Sequence, residues 1–358
     1  MAKPAITLKT IADQLGYSVS TVSRVLNGLA DKYRISKETQ EAIKDAAQRL
    51  DFTPNPLARG LRMNKSNTIG LVIPDISNPF FSSIARNVEH EARKHHYSII
   101  LCDTDENTAL EIESLQLLQN RKVDGLIMLP VGQTSQHIEK VYQTGMPMVI
   151  IDRYFKDVDI PYVASDNYKG AFEAVSYLIQ SGHTTIGCIQ GLRHTMPNSE
   201  RLRGYIEAHQ YYNLPVNERL IVGDGFGEQN GFLETKLLIR KEKELTAIFA
   251  LSNLISLGSI RALKEEGLRI PDDISIISFD DQPYSEYLST PMSTISQQNK
   301  EMGQIAVKHL ISQIDSTIRP SGEYVLLSTK LIKRSSVKIL SASKNIIKQI
   351  NRGVVSMQ

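Results

Sequence analysis

Cysteine is scarce in this sequence, and no apolar run is long. The 358 residues include only two cysteines, Cys102 and Cys188, so neither a disulfide framework nor a paired-cysteine zinc site is expected. A reducing compartment suits such a composition. The longest apolar stretches, such as 69–73 and 146–151, are far too short to cross a membrane. We therefore expect a cytoplasmic protein, and the first residues lack the pattern of a secretion signal.

Neither sign of charge dominates the whole chain, whose net charge is +2. The charges are nevertheless unevenly placed. Residues 1–65 contain 11 Lys and Arg against 6 Asp and Glu, whereas the remaining residues contain 30 against 33. A small basic head on a slightly acidic body indicates that the head contacts a polyanion.

The basic head has the pattern of three short helices. The first runs over 8–15 after Thr7, a good N-cap residue. Gly16 then opens a short turn, and Ser18 caps a second helix that ends near Asn27. A third helix follows Ser36, with its apolar residues on one face. Two helices joined by a tight turn are typical of a helix-turn-helix module.

The pattern changes after residue 66 to short β-rich runs that alternate with amphipathic helices. The alternation runs from 68 to 152 and is repeated from 168 to 279. Strands alternating with helices in this way are typical of parallel βαβ units. We therefore predict an α/β body made of two doubly wound subdomains.

Three segments together resemble the LacI/GalR family of bacterial transcription regulators. They are residues 7–27, the run Pro-Asn-Pro-Leu-Ala-Arg-Gly-Leu-Arg at 54–62, and the run Ile-Gly-Leu-Val-Ile-Pro-Asp-Ile-Ser-Asn-Pro-Phe-Phe at 69–81. The resemblance covers about residues 5–340. It implies a homodimer that binds a pseudo-palindromic operator in double-stranded DNA and responds to a small effector. The resemblance favours a repressor over an activator. It also favours a sugar as the effector, with a nucleoside or purine as the alternative.

The resemblance implies four regions. These are a helix-turn-helix domain at 1–52, a hinge at 53–66, an effector-binding domain at 67–340 and a tail at 341–358 that we expect to be disordered. The effector-binding domain has the fold of periplasmic binding proteins. We place 67–165 and 293–327 in its first subdomain, and 166–290 and 329–340 in its second.

The second helix has the side chains that a recognition helix needs, namely short polar groups and one long donor for a base edge. By resemblance, Val19, Ser20 and Arg24 read bases, and Arg24 is the candidate for a bidentate contact to guanine. The remaining candidates in the head are suited to phosphates. They are Thr7, Ser18, Thr21, Ser23 and Asn27, together with Lys32 and Arg34 in the following loop.

The hinge carries a leucine between two arginines. The resemblance implies that Leu61 is wedged between base steps in the minor groove, with Arg59 and Arg62 on the phosphates and groove wall. The alternative interpretation of Leu61 is a core residue. The loop at 28–34 is longer than is usual in the family, so Lys32, Tyr33 and Arg34 either lie near the DNA backbone or remain in solvent. Thr10 and Tyr17 also depart from the family pattern.

The effector is expected in a cleft between the subdomains, at the carboxyl ends of strands. Paired donors and acceptors with an aromatic wall suit a polyhydroxylated ligand. The candidates by resemblance are Phe80, Phe81, Asp152, Arg153, Arg201, Phe226, Asn253 and Asp280. Asn253 stands where the family commonly has a carboxylate. Taken singly, each of these residues also has a structural explanation, such as a helix cap or a core position.

No catalytic set, metal site or nucleotide-binding motif can be assigned from the motifs, so we expect no cofactor and no enzyme activity. Two other classes stay open. One is a cytosolic sugar-binding module whose head binds a protein, which salt-insensitive or absent DNA binding would favour. The other is a Rossmann-like enzyme that acts on a sugar, which turnover of a bound ligand would favour.

Overall fold

A computed structural model describes residues 6–52, 65–316 and 323–340. The chain divides into two compact units, residues 1–66 and 67–358.

The described part of the first unit has three helices, α1 (Leu8–Leu15), α2 (Val19–Leu26) and α3 (Lys37–Arg49). Each begins at a hydroxyl side chain that accepts a hydrogen bond from the first turn: Thr7, Ser18 and Ser36. Gly16 ends α1 with a φ of 71°, a left-handed conformation that glycine adopts without strain. The helices pack around a small core in which Ile11 is fully buried. The helix-turn-helix prediction agrees with this architecture.

The second unit begins with alternating strands and helices. They are β1 (Thr68–Ile73), α4 (Pro79–Lys94), β2 (Ser98–Asp103), α5 (Thr108–Asn120), β3 (Gly125–Met128), α6 (Gln136–Gln143), β4 (Met148–Ile151) and β5 (Tyr162–Ser165). Next come α7 (Asn167–Gln180), β6 (Ile186–Ile189), α8 (Met196–Tyr211), β7 (Ile221–Val222), α9 (Glu228–Lys241), β8 (Ala247–Ala250), α10 (Asn253–Glu265) and β9 (Ser275–Phe279). The last elements are β10 (Ser293–Ser296), α11 (Asn299–Asp315), β11 (Tyr324–Leu327) and β12 (Lys330–Ile332).

These strands form two six-stranded sheets. The first has the order β11-β5-β4-β3-β1-β2 and is parallel throughout. The second has the order β12-β10-β9-β8-β6-β7, with β12 antiparallel to its neighbour. Alternate residues of β1 enter different cores, Leu71 on one face of the sheet and Val72 on the other. Helices therefore cover both faces, as the apolar strands require.

Part of the segment 293–327 lies in a different subdomain from the one predicted. We predicted that 293–327 belongs wholly to the first subdomain, but β10 pairs with β9 in the second sheet. The chain therefore crosses after β5, again between β10 and α11, and a third time between β11 and β12. β5, β10, β11 and β12 were not identified as strands from the sequence. No helix in the described segments is long and apolar enough to span a membrane.

Candidate DNA interface and effector cleft

Helix α2 presents polar residues at its exposed amino end. Ser18 caps the helix and accepts a hydrogen bond from the Thr21 amide, and its hydroxyl also contacts those of Ser20 and Thr21 at 2.8 Å each. Val19 and Ser20 are exposed, and Arg24 is partly buried one turn further on. Thr7 is exposed at the start of α1. The predicted base-reading residues therefore lie on one helix, with hydroxyl groups beside them.

Ser23 does not fit its predicted role. Its side chain is only 6% exposed, and its backbone carbonyl and hydroxyl accept hydrogen bonds from the Asn27 side chain at 2.6 and 3.2 Å. A hydroxyl held inside the head is not available to a phosphate. Ser23 is therefore a structural residue that anchors the end of α2, and Asn27 caps that end.

The loop at 28–34 exposes its two basic side chains, Lys32 and Arg34. Tyr33 lies between them, and its ring is covered by the guanidinium of Arg24, with Cζ 3.9 Å from the ring centroid. The sequence places Tyr33 near the DNA backbone or in solvent, together with Lys32 and Arg34, but does not predict its contact with Arg24. The predicted hinge contacts Arg59, Leu61 and Arg62 lie outside the described residues.

A cleft lies between the two subdomains of the second unit. It is lined by residues that follow six strands, namely β1, β4, β6, β7, β8 and β9. They are Asn78, Phe80, Phe81, Asp152, Arg153, Pro197, Arg201, Phe226, Ser252 and Asp280. Seven of the eight predicted effector residues are therefore brought together at the carboxyl ends of the strands.

Two buried carboxylates face this cleft, one from each subdomain. Asp152 follows β4 and Asp280 follows β9, both with left-handed backbones, at φ 63° and 71°. Burial raises the pKa of Asp152 to about 6, and the positive charges of Arg201 and Arg153, which lower this pKa, offset only part of the rise. Burial also raises the pKa of Asp280. Asp152 Oδ1 is buried without a hydrogen-bond partner among the described residues, so it is an acceptor available to a ligand.

Two buried guanidinium groups balance the carboxylates. Arg201 donates from Nε to Asn167 Oδ1 at 2.8 Å and from Nη1 to the Leu251 carbonyl at 2.6 Å. Its Nη2 lies 3.9 Å from Asp280 Oδ1. Arg153 forms a bidentate ion pair with Glu106, with both N–O distances 2.6 Å. Both arginines are thus fixed by protein groups before any ligand binds.

Aromatic rings form the apolar part of the cleft. The rings of Phe80 and Phe81 meet edge to face at 5.2 Å. The Arg153 guanidinium lies 5.4 Å from the ring centroids of both Phe81 and Phe226. Rings on several sides, with charged groups between them, match a ligand that has apolar faces and a polar edge.

Asn253 is buried beside the cleft but is not among its lining residues. Its Nδ2 donates to Asn78 Oδ1 across the subdomains at 3.2 Å, and its own Oδ1 has no partner among the described residues. Asn253 therefore links the two subdomains beside the cleft, and its neighbour Ser252 lines the cleft itself.

Sequence reasoning missed Asn78, Pro197, Ser252 and the supporting Glu106. Asn78 could have been predicted from the sequence, because it precedes the Pro-Phe-Phe motif at a strand end, where it caps α4. The Glu106 contact joins residues 47 positions apart, and no local pattern indicates it. The described segments contain no cluster of three or more His, Cys, Asp or Glu that could hold a metal ion.

A three-helix head and a two-sheet receptor with a polar cleft define a class, the DNA-binding regulators that carry a small-molecule sensor. Comparisons with known proteins identify the family. Residues 7–55 match the model of the bacterial regulatory proteins of the lacI family. Residues 175–337 match the periplasmic binding protein-like domain.

Relatives match over almost the whole chain. The transcriptional repressor PurR of Actinobacillus pleuropneumoniae is 33% identical over 94% of this chain and 99% of its own. The ribose operon repressor of Halalkalibacterium halodurans is 35% identical over 95% of this chain and 99% of its own. A LacI family regulator from Enterococcus faecium, solved with bound ribose, is 30% identical with a TM-score of 0.70, over 76% of this chain and all of that one. The chain belongs to the lacI family and is a DNA-binding transcription regulator with an effector-binding domain.

Proposed function

We propose that this chain is a repressor that binds a pseudo-palindromic operator as a homodimer, with α2 of each head in the major groove. The observation that carries the proposal is the exposed, N-capped start of α2, where Val19 and Ser20 precede Arg24 on one helix. Short side chains let a helix sit deep in the groove, and one arginine reaches a guanine edge. A two-fold dimer presents two such helices, so the operator repeats its half-site.

The phosphate contacts that we propose surround α2. Hydroxyl groups at the helix starts, from Thr7, Ser18 and Thr21, are suited to fixing the register of the head on the backbone. Asn27 supplies an amide at the other end of the helix, and the loop adds its two exposed basic side chains. Ser23 is left out because it is buried.

The effector that we propose is a small neutral sugar of pentose size. A polyhydroxylated ring needs acceptors such as Asp152 and Asp280, donors such as Arg153 and Arg201, and apolar rings against its faces. The relatives that carry ribose in their names support the same ligand. A purine or nucleoside is the second candidate, because a PurR is similarly close.

Control of DNA binding by the effector is a coupling between two sites, typically worth about 1–3 kcal/mol. We propose that the hinge at 53–66 carries it, with Leu61 wedged in the minor groove and Arg59 and Arg62 on the backbone. The motif at 54–62 supports this role. We further propose a cytoplasmic protein that acts by binding and not by catalysis.

The test begins with selection of duplexes from a random pool by the purified full-length chain. The selected duplex is then titrated at two salt concentrations, with and without ribose, other pentoses, hexoses and nucleosides. We expect a two-fold-related sequence, affinity that falls steeply with salt, and a shift with one pentose. Failure to select any duplex would refute the DNA function. A shift with nucleosides alone would refute the sugar.

Two variants and a control locate the sites. Arg24→Ala should cost about 1–3 kcal/mol per half-site and relax the base preference there. Arg49→Ala removes an exposed arginine of α3 that is not among the proposed contacts, and it should leave the base preference unchanged. Asp280→Ala should abolish the effector response and retain DNA binding. Undiminished effector affinity in titration calorimetry would refute the assignment of the cleft.

A further inference from the structure

The loop at 28–34 is attached to the folded head by several contacts. Ala30 is buried in the head core, and its carbonyl accepts a hydrogen bond from the Ile35 amide at 3.0 Å. The Tyr33 amide donates to the carbonyls of Leu29 and Ala30, at 3.2 Å each. The Gln40 side chain, from α3, donates to the Ile35 carbonyl at 2.9 Å. The backbone that carries Tyr33 is thus held on both sides.

Tyr33 uses this support to meet Arg24. The guanidinium carbon lies 3.9 Å from the ring centroid, within the range of a cation–π contact. The Arg24 Nε is buried and has no hydrogen-bond partner among the described residues. Stacking covers one flat face of a guanidinium, but its N–H donors lie in the plane and point outward from the edge. The contact therefore constrains the arginine and leaves an edge for a base.

We propose that Tyr33 is a positioning residue that fixes Arg24 for its base contact and so sets how strictly that base pair is read. The inference rests on the proposed function, in which Arg24 reads a guanine. A long side chain that is already ordered loses less freedom when it binds. A guanidinium held in one plane also meets the two acceptors of guanine in one orientation. Both effects concern the operator base pair and not the general attraction to DNA.

The competing role of Tyr33 is a direct phosphate contact through its hydroxyl. The side chain is 44% exposed, so the hydroxyl is not needed inside the head. The two roles differ in the group that acts. Stacking needs the ring and not the hydroxyl, whereas a phosphate contact needs the hydroxyl and is indifferent to sequence.

The test uses the full-length chain and the duplex that it selects from a random pool. Affinity is measured for this duplex and for one with both guanine pairs under Arg24 replaced, giving a discrimination ratio. Tyr33→Phe should keep the affinity and the ratio within about twofold, because the ring is retained. Tyr33→Leu keeps apolar bulk without the π face. It should weaken binding of the selected duplex at least about fivefold for a dimer, because two arginines must then be ordered on binding, and it should lower the discrimination ratio.

Two further measurements separate stacking from the alternatives. In an Arg24→Ala background, Tyr33→Leu should leave the discrimination ratio unchanged, since the residue it positions is gone. Lys32→Ala, the control from the same loop, should weaken all duplexes alike and leave the ratio intact. Circular dichroism at the assay temperature verifies that each variant head is folded. If Tyr33→Leu does not fold, Tyr33→Met replaces it, because methionine is also apolar and has no π face.

Several results would overturn the inference. An equal loss of affinity for every duplex in Tyr33→Phe would assign the tyrosine to a phosphate. A discrimination ratio that survives Tyr33→Leu, or that falls equally in the Arg24→Ala background, would show that Tyr33 does not act through the arginine. If the wild-type chain selects no duplex, the proposed function fails together with this inference, whereas the other outcomes refute the inference alone.

Discussion

Asp152 is a buried carboxyl group whose ionisation opposes folding, and replacing it by asparagine should stabilise the effector-binding domain at neutral pH. Its pKa rises from an ordinary 3.8 to about 6, chiefly through burial. That difference corresponds to about 3 kcal/mol of free energy between the two protonation states. The value already includes the attraction of Arg201 and Arg153, which lowers the pKa and only partly offsets burial.

The sign of the pH dependence follows from linkage. The folded state holds the proton of Asp152 more tightly than the unfolded state, so its stabilising contribution is complete below about pH 4 and is lost as pH rises through about 6. Asp152→Asn removes the titration and preserves the shape of the side chain. The free energies of unfolding of wild type and variant should therefore agree within about 1 kcal/mol near pH 4. The variant should be more stable by about 3 kcal/mol above pH 7.

Urea unfolding between pH 4 and 8, followed by circular dichroism without effector, measures the difference. Asp157→Asn is the matched control, because Asp157 is exposed in the same loop and loses the same charge without a burial cost. It should follow the wild type at every pH. A stability difference for Asp152→Asn that does not change with pH, or a variant less stable than wild type at pH 7.5, would refute the reasoning.

Three other changes test separate contacts. In Gly191→Ala, the new Cβ would lie 2.1 Å from the ring of Phe226. The ring must therefore shift from its position in the cleft lining, and calorimetry should show effector affinity about tenfold weaker. Glu106→Gln should cost roughly 1–3 kcal/mol in urea unfolding, because buried Arg153 loses the charge of its bidentate partner. Leu61→Ala should reduce operator bending more than nonspecific affinity, and a wild-type bend angle in a gel-phasing assay would exclude the wedge.

Most of the fold could be predicted because its strands and helices are encoded locally. Apolar runs such as β1 and β3 are short and continuous, and amphipathic helices separate them. Parallel order then brings the strand ends together, so residues that follow strands, such as Asp152 and Asp280, predict a common cleft. The segments that cross between the two subdomains were harder to assign to a sheet from the sequence. β10 lies in the sheet opposite to the one predicted, and nothing in four residues of sequence specifies which distant edge they pair with.

The errors and omissions in the head have a similar origin. Ser23 is polar and lies in the recognition helix, so its type predicts exposure. Its position, next to Val22 and two before Val25, turns it toward the core. Asn27 supplies the hydrogen bonds that make this burial tolerable. The contact of Tyr33 with Arg24 was not predicted, because it depends on the shape of a loop, which composition does not fix.

The cleft shows why an effector could control this receptor. Among the described residues, the hydrogen bonds that cross between its subdomains include two neutral ones, from Asn253 Nδ2 to Asn78 Oδ1 at 3.2 Å and from His194 Nε2 to the Val131 carbonyl at 3.4 Å. A third, from Lys156 Nζ to Glu200 Oε1 at 3.4 Å, is a solvent-exposed ion pair that contributes little. Neutral bonds of this length contribute about 1 kcal/mol or less each. A ligand that accepts from buried guanidinium groups and donates to buried carboxylates forms charge-assisted bonds, which are about twice as strong. Because such bonds come from both walls, they form together only when the walls are close. We therefore expect a ligand of this kind to favour an arrangement with the walls close together more strongly than these two neutral protein bonds do, which is the differential affinity for two states that such control requires.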